Sequence, residues 1–138
     1  MTVTKSRRYV FDASVALKWY LPEDDSKEAR QWYEAIKKGK IFALAPEFLL
    51  IECANALLKH HKLIKEDVTA IIDDLTNSGL ELIPLSILRI DQIIALAERY
   101  NLTIYDAIYL ELARFTDVKL ITTDTSLLKI KTHTRPLG

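Results

Sequence analysis

A three-layer α/β fold, with a compact, mostly parallel sheet of about four or five strands flanked by helices, follows from three features of the sequence. Short apolar runs suited to buried strands alternate with longer stretches of helical periodicity. The chain has 138 residues, 49% hydrophobic and 28% charged, the size and composition of one globular domain. Its three glycines and four prolines are scattered, so no linker or repeat divides it, and a single domain spanning residues 1–138 is expected.

The elements follow in order. Tyr9-Val10-Phe11 is a buried strand cut off by Asp12. A helix runs from Ala13 to Leu21 and stops at Pro22. Ala29, Trp32, Tyr33 and Ile36 mark one face of a second helix, Ser26 to Lys38, closed by Gly39. Ile41 to Leu44 is a strand. Pro46 stands at the first turn of a third helix that reaches about Lys62, with Leu49, Cys53, Ala56 and Leu57 on one stripe. Val68, Ile71, Ile72 and Leu75 carry a fourth helix, Lys65 to Asn77. Leu80 to Leu85 is strand-like, Ser86 to Tyr100 and Thr103 to Phe115 are helices, and Lys119 to Thr123 is a strand. A short last strand lies between Ile130 and Thr134.

Charge and cysteine content narrow the function. Lys plus Arg and Asp plus Glu both number 19, so the chain does not grip polyanions by bulk charge, and any nucleic-acid contact is local. The single Cys53 excludes a disulfide framework and a thiolate zinc cage and fits a reducing cytoplasm. No apolar run reaches the roughly 18 residues of a membrane span. The N-terminus, Met1 to Arg8, lacks the basic-then-apolar-then-small order of a secretory signal.

Four acids stand out. Asp12 and Asp124 each end a strand, at the edge where a parallel sheet opens to its ligands. Each also reads as a helix N-cap. Glu52 sits among Leu49, Leu50, Ile51, Cys53, Ala54, Ala56 and Leu57, where a buried carboxylate needs a partner cation or a metal; the alternative is a solvated position on a mostly apolar helix. Asn55 shares its face. Asp106 opens a helix three residues after Thr103, which is a capping box or a cleft wall. If the four converge, a divalent cation offsets their repulsion, and all-oxygen ligation selects Mg²⁺ or Mn²⁺. Such a cup suits phosphodiester hydrolysis. Hydroxyls at Ser14 and Thr123 are placed to hold water or steady a carboxylate.

Val-Phe-Asp12-Ala-Ser14, Glu52-Cys-Ala-Asn55, the run from Leu102 to Ala113 through Thr103, Tyr105 and Asp106, and Leu120-Ile-Thr-Thr-Asp124 resemble, in order, the four motifs of PIN-domain nucleases. Length and simplicity make the chain most similar to VapC-like toxins of type II toxin–antitoxin pairs. The resemblance implies a Mg²⁺- or Mn²⁺-dependent endoribonuclease, homodimeric, cytoplasmic and inhibited by a small antitoxin. It implies that Asp12, Glu52, Asp106 and Asp124 are the catalytic, metal-holding quartet, supported by Ser14, Asn55, Thr103 and Thr123. It further implies a metal-activated water attacking phosphorus in line, with the 3′ oxygen leaving. Thr125, Ser126 and Leu127 supply none of the extra acids that some members carry after the fourth motif.

RNA contact then falls to local groups. These are Lys59 to Lys62, the lysines around Gly39, and the alternating Lys129, Lys131, His133 and Arg135, whose cations share a face if they lie on a strand. Each of these groups also reads as solvated surface. His60, His61 and His133 are read as surface or RNA-facing rather than metal ligands. Tyr105 and Tyr109 either stack bases or belong to the core. The patch around Trp19, Tyr20, Trp32 and Tyr33 either buries itself or docks an antitoxin helix. Two other Asp-centred phosphoryl-transfer sites fit poorly: a dehalogenase-like site needs an acid where Ser14 stands, and a receiver domain needs one ending Leu80 to Leu85. An RNA-processing nuclease without a toxin role, and a catalytically idle RNA- or protein-binding module, stay open as alternatives.

Overall fold

Val10 and Phe11 are fully buried, and the strand they close, β1 (Arg8–Phe11), occupies the middle of the sheet. A computed structural model of the chain describes residues 7–138; the N-terminal stretch read for a secretory signal lies, as far as residue 6, outside the described residues. β1 pairs in parallel with β2 (Phe42–Pro46) on one side and β4 (Lys119–Ile121) on the other, with Val10 between Leu44 and Leu120. β3 (Glu81–Ile83) adds beyond β2, and β5 (Thr134–Arg135) beyond β4. Among the described residues the sheet has five strands, all parallel, in the order β3-β2-β1-β4-β5.

Among the described residues, seven helices accompany this sheet: α1 (Ala13–Ala16), α2 (Ser26–Lys37), α3 (Phe48–Asn55), α4 (Lys65–Thr76), α5 (Ile90–Tyr100), α6 (Ile104–Thr116) and α7 (Thr125–Leu128). α6 packs across β1, β2 and β4, with α5 against it, and buries every residue from Ala107 to Ala113. A helix apolar almost all round belongs in the interior. At about 1.5–3 kcal/mol for each fully buried large apolar side chain, α6 is a main source of stability. α3 packs on β2, α1 and α4 through Leu49 and Cys53 and widens into a π-helical turn over Ala56–His60.

Several boundaries differ from the sequence expectation. The helix after Asp12 is α-helical only to Ala16 and tightens into a 3₁₀ turn over Leu17–Trp19. Pro46 ends β2 rather than opening α3; it sits beyond the last β1–β2 pair, Val10 with Leu44, where a missing N–H is tolerated. The helix expected from Ser86 begins at Ile90, because Leu85–Ile87 forms its own 3₁₀ turn and Leu88 is extended. The expected strand over Ile130 to Thr134 forms only at Thr134–Arg135, so Lys129, Lys131 and His133 are not on a strand and do not make the shared basic face. α7 is the helix that the cap reading of Asp124 calls for, only four residues long.

The aromatic patch buries itself. Trp19 stacks on Tyr33 at 4.8 Å, and Phe11 meets both Trp19 and Trp32 edge-on. The hydroxyls of Tyr20 and Tyr33 both donate to Asp74 on α4. His60 and His61 are exposed, whereas the His133 Nε2 lies 3.3 Å from the Asp117 carboxylate. Among the described residues, no helix is long and apolar enough to cross a membrane.

Candidate active site

Chain direction decides where a site forms. From β1 the chain builds outward through β2 and β3 on one side and later through β4 and β5 on the other, so the strand order reverses between β1 and β4. In open parallel sheets, ligands bind in the crevice beyond the carboxyl ends of the strands at such a reversal. Asp12 immediately follows β1, and Thr122 to Asp124 immediately follow β4.

A cleft of about 110 Å³ opens there, lined by Asp12, Ala13, Ser14, Glu52, Asp106, Tyr109 and Asp124. All four expected acids thus line one cleft, although they come from the cap of α1, from α3, from α6 and from the cap of α7. Asp12 is the most enclosed, at 4% exposure. It caps α1 by accepting from the Val15 amide at 3.3 Å, takes the Ser14 hydroxyl at 2.6 Å, and accepts from the Thr122 hydroxyl on its other oxygen. Glu52 accepts from the Tyr109 hydroxyl at 2.6 Å. Asp106 lies in the first turn of α6, where the helix dipole favours an anion, and its amide donates to the N-cap Thr103 at 3.1 Å. Asp124 caps α7, accepting from the Leu127 amide at 3.1 Å.

The charges strain one another. Burial pushes the Asp12 carboxyl up to about 6, against the hydrogen bonds of Ser14, Thr122 and Val15 and with help from the charge of Glu52. Burial, and then the charges of Asp106 and Asp124, raise Glu52, while Tyr109 opposes the rise. Burial and the charge of Asp124 raise Asp106, opposed by Thr103. Burial, reinforced by Glu52 and Asp12, lifts the Cys53 thiol out of the reactive range.

Among the described residues no basic side chain lines the cleft, so bound protons or an external cation must offset its charge. Its donors are all hard oxygens, the set that Mg²⁺ or Mn²⁺ takes. Among the described residues, no three His, Cys, Asp or Glu side chains are gathered closely enough to hold an ion directly. Mg²⁺, which usually keeps several waters and binds one or two carboxylates, does not require a closer cluster.

The supporting residues divide. Ser14 and Thr103 bond as the sequence leads one to expect. Asn55 is exposed outside the acidic cleft, in an adjoining depression with Glu52. The threonine hydroxyl on Asp12 belongs to Thr122, not Thr123, which instead gives its backbone amide to the Ser14 oxygen at 3.1 Å. Thr122 and Tyr109 are the site residues that sequence reasoning missed. Thr122→Val removes a donor from a buried carboxylate, so the Asp12 carboxyl should titrate higher still. The fold should lose about 1–3 kcal/mol at neutral pH. Carboxyl-carbon NMR titration and thermal unfolding check both effects.

Known proteins share the family and the fold of this chain. A family model described as PIN domain matches residues 9–132. The crystal structure of PAE2754 from Pyrobaculum aerophilum is similar at a TM-score of 0.70 and 22% identity, covering 96% of this chain and 90% of that one. A toxin–antitoxin complex from Klebsiella pneumoniae is similar at 0.69 and 22% identity, covering 94% of this chain and 98% of that one. At such identities the likeness speaks for the fold. No curated protein matches the chain in sequence.

Proposed function

The chain belongs to the PIN domain family, and from that premise we propose that it is a Mg²⁺- or Mn²⁺-dependent endoribonuclease, the toxin of a type II toxin–antitoxin pair. PIN domains are in general nucleases. One observation carries the proposal: four carboxylates from four distant chain positions line one cleft at the reversal point of the sheet, with no basic residue among the described lining. Asp12, Glu52, Asp106 and Asp124 would hold the ion, one or two of them directly and the others through its waters. When bound, it supplies a lowered water pKa and neutralises charge on the phosphate in transit.

The remaining residues prepare that site. Ser14 and Thr122 each hold one oxygen of Asp12, fixing the rotamer of the most buried acid. Tyr109 ties down one oxygen of Glu52 and leaves the other to the cleft. Thr103 caps the turn that presents Asp106. Among the described residues no histidine lines the cleft, and its ionisable side chains there are the four acids and Tyr109, whose hydroxyl burial keeps protonated.

The toxin role is supported by the fold shared with the Klebsiella pneumoniae toxin–antitoxin complex. An antitoxin partner and a cytoplasmic location belong to the same proposal. So does a homodimer, for which Ile87 and Phe115, 59% and 61% exposed, offer apolar surface around one shallow cleft. RNA should be cleaved in Mg²⁺ or Mn²⁺ and left intact in EDTA. Expression should arrest growth, and a small protein encoded beside the gene should relieve the arrest. Cleavage without arrest would replace the toxin role by RNA processing. No cleavage in either metal would end the nuclease reading.

A further inference from the structure

Beside the acidic cleft lies an open depression of about 320 Å³, lined by Phe48, Ile51, Glu52, Asn55 and Tyr105. Glu52 belongs to both cavities and Tyr105 directly precedes Asp106, so the two share a wall. The rings of Phe48 and Tyr105 lie nearly parallel, 9° between planes and 5.4 Å between centroids. Tyr105 is nevertheless 57% exposed, whereas Tyr109, one turn further along α6, is 1% exposed. The two tyrosines have therefore parted: one holds Glu52 from the core, and the other presents a flat face to solvent.

A flat aromatic pair against a phosphate-cleaving cleft has a direct chemical complement. The group attached beside a nucleic-acid phosphate is a planar base, and bases stack on tyrosine whatever their identity. Asn55, at the edge of the same depression, carries the donor and acceptor that a base edge requires. None of the lining residues is basic, so the depression is built for a base rather than for another phosphate.

We infer that this depression is a nucleobase subsite, in which a base next to the scissile phosphate of single-stranded RNA stacks on Tyr105 with Phe48 behind it. The inference rests on the reading of the acidic cleft as an RNA-cleaving site. Bases in a duplex are already stacked, so the subsite favours single strands and unpaired loops. Tyr105 is a positioning residue: it holds the base, and the acids do the chemistry.

The test uses the full chain and single-stranded oligoribonucleotides carrying 2-aminopurine at successive positions. Binding is read as fluorescence quenching in an Asp12→Asn background, with and without Tyr105→Ala or Tyr105→Phe. Cleavage of the unmodified RNA is measured with Asp12 intact. Quenching is expected at one position, kept by Tyr105→Phe and lost by Tyr105→Ala, which should also raise KM roughly tenfold, within the range of one stacked base. Far-UV circular dichroism checks that each variant is folded. If a folded Tyr105→Ala protein binds and cleaves single-stranded RNA like its parent, the subsite is overturned, including the case in which this surface serves a protein partner. If the parent cleaves no RNA in Mg²⁺ or Mn²⁺, it is the cleavage reading that fails, whatever Tyr105 does.

Discussion

Asp12→Asn is expected to lower metal-dependent RNA cleavage by about a thousandfold, some 4 kcal/mol of transition-state stabilisation, while the chain stays folded. Asp12 is the most enclosed of the four acids, and its two oxygens are aimed by Ser14 and Thr122. The amide keeps the shape and one accepting oxygen but loses the charge that a hard cation needs. Without metal, the same change should stabilise the fold near neutral pH. A shift from 3.8 to about 6 corresponds to about 3 kcal/mol of strain from an ionised, buried Asp12, less whatever the two hydroxyls lose in turning toward an amide. An inactive variant that melts higher than wild type in EDTA would separate chemistry from folding. Cleavage within tenfold of wild type would remove Asp12 from the machinery.

Much of this site was legible because two requirements coincide. Asp12 and Asp124 could be read as helix caps or as cleft acids, and they are both: the turn from strand to helix that a cap closes is also the carboxyl edge of the sheet. Glu52 was visible as a carboxylate inside an apolar stripe, and Asp106 through its spacing from Thr103. Thr122 was not. In a strand covered on both faces, successive residues are all buried, as Leu120, Ile121 and Thr122 are, so alternation does not say which of two neighbouring threonines faces Asp12. The two tyrosines of α6 posed the same problem, since spacing puts them on one side of the helix but cannot say which meets the core. A proline just before a helical pattern fits the first turn of that helix as well as the end of the preceding strand, so the pattern alone does not place Pro46 in β2. The basic residues after Lys129 alternate like a strand, but strand pairing with β4 is confined to Thr134 and Arg135.

Divalent cations should change stability in a pH-dependent way, and the sign follows from the raised carboxyls. A folded-state carboxyl raised above its unfolded value favours the fold in its protonated form. In EDTA, the contribution of Asp12 is therefore fully present below its ordinary 3.8 and is lost as pH rises through about 6. Glu52 and Asp106 are raised as well and act in the same direction. Mg²⁺ or Mn²⁺ takes the place of the missing protons, so its benefit should be small at pH 5 and largest near pH 7.5. At a hundred times its dissociation constant, a bound ion adds about 2.7 kcal/mol, or about 5–10 °C in Tm for a domain of this size. Thermal unfolding with and without metal at the two pH values measures the effect, and Asp12→Asn should abolish most of it. A wild-type Tm indifferent to both cations at pH 7.5 would mean that the four carboxylates share a cleft without sharing an ion, and the nuclease proposal would lose its chemistry.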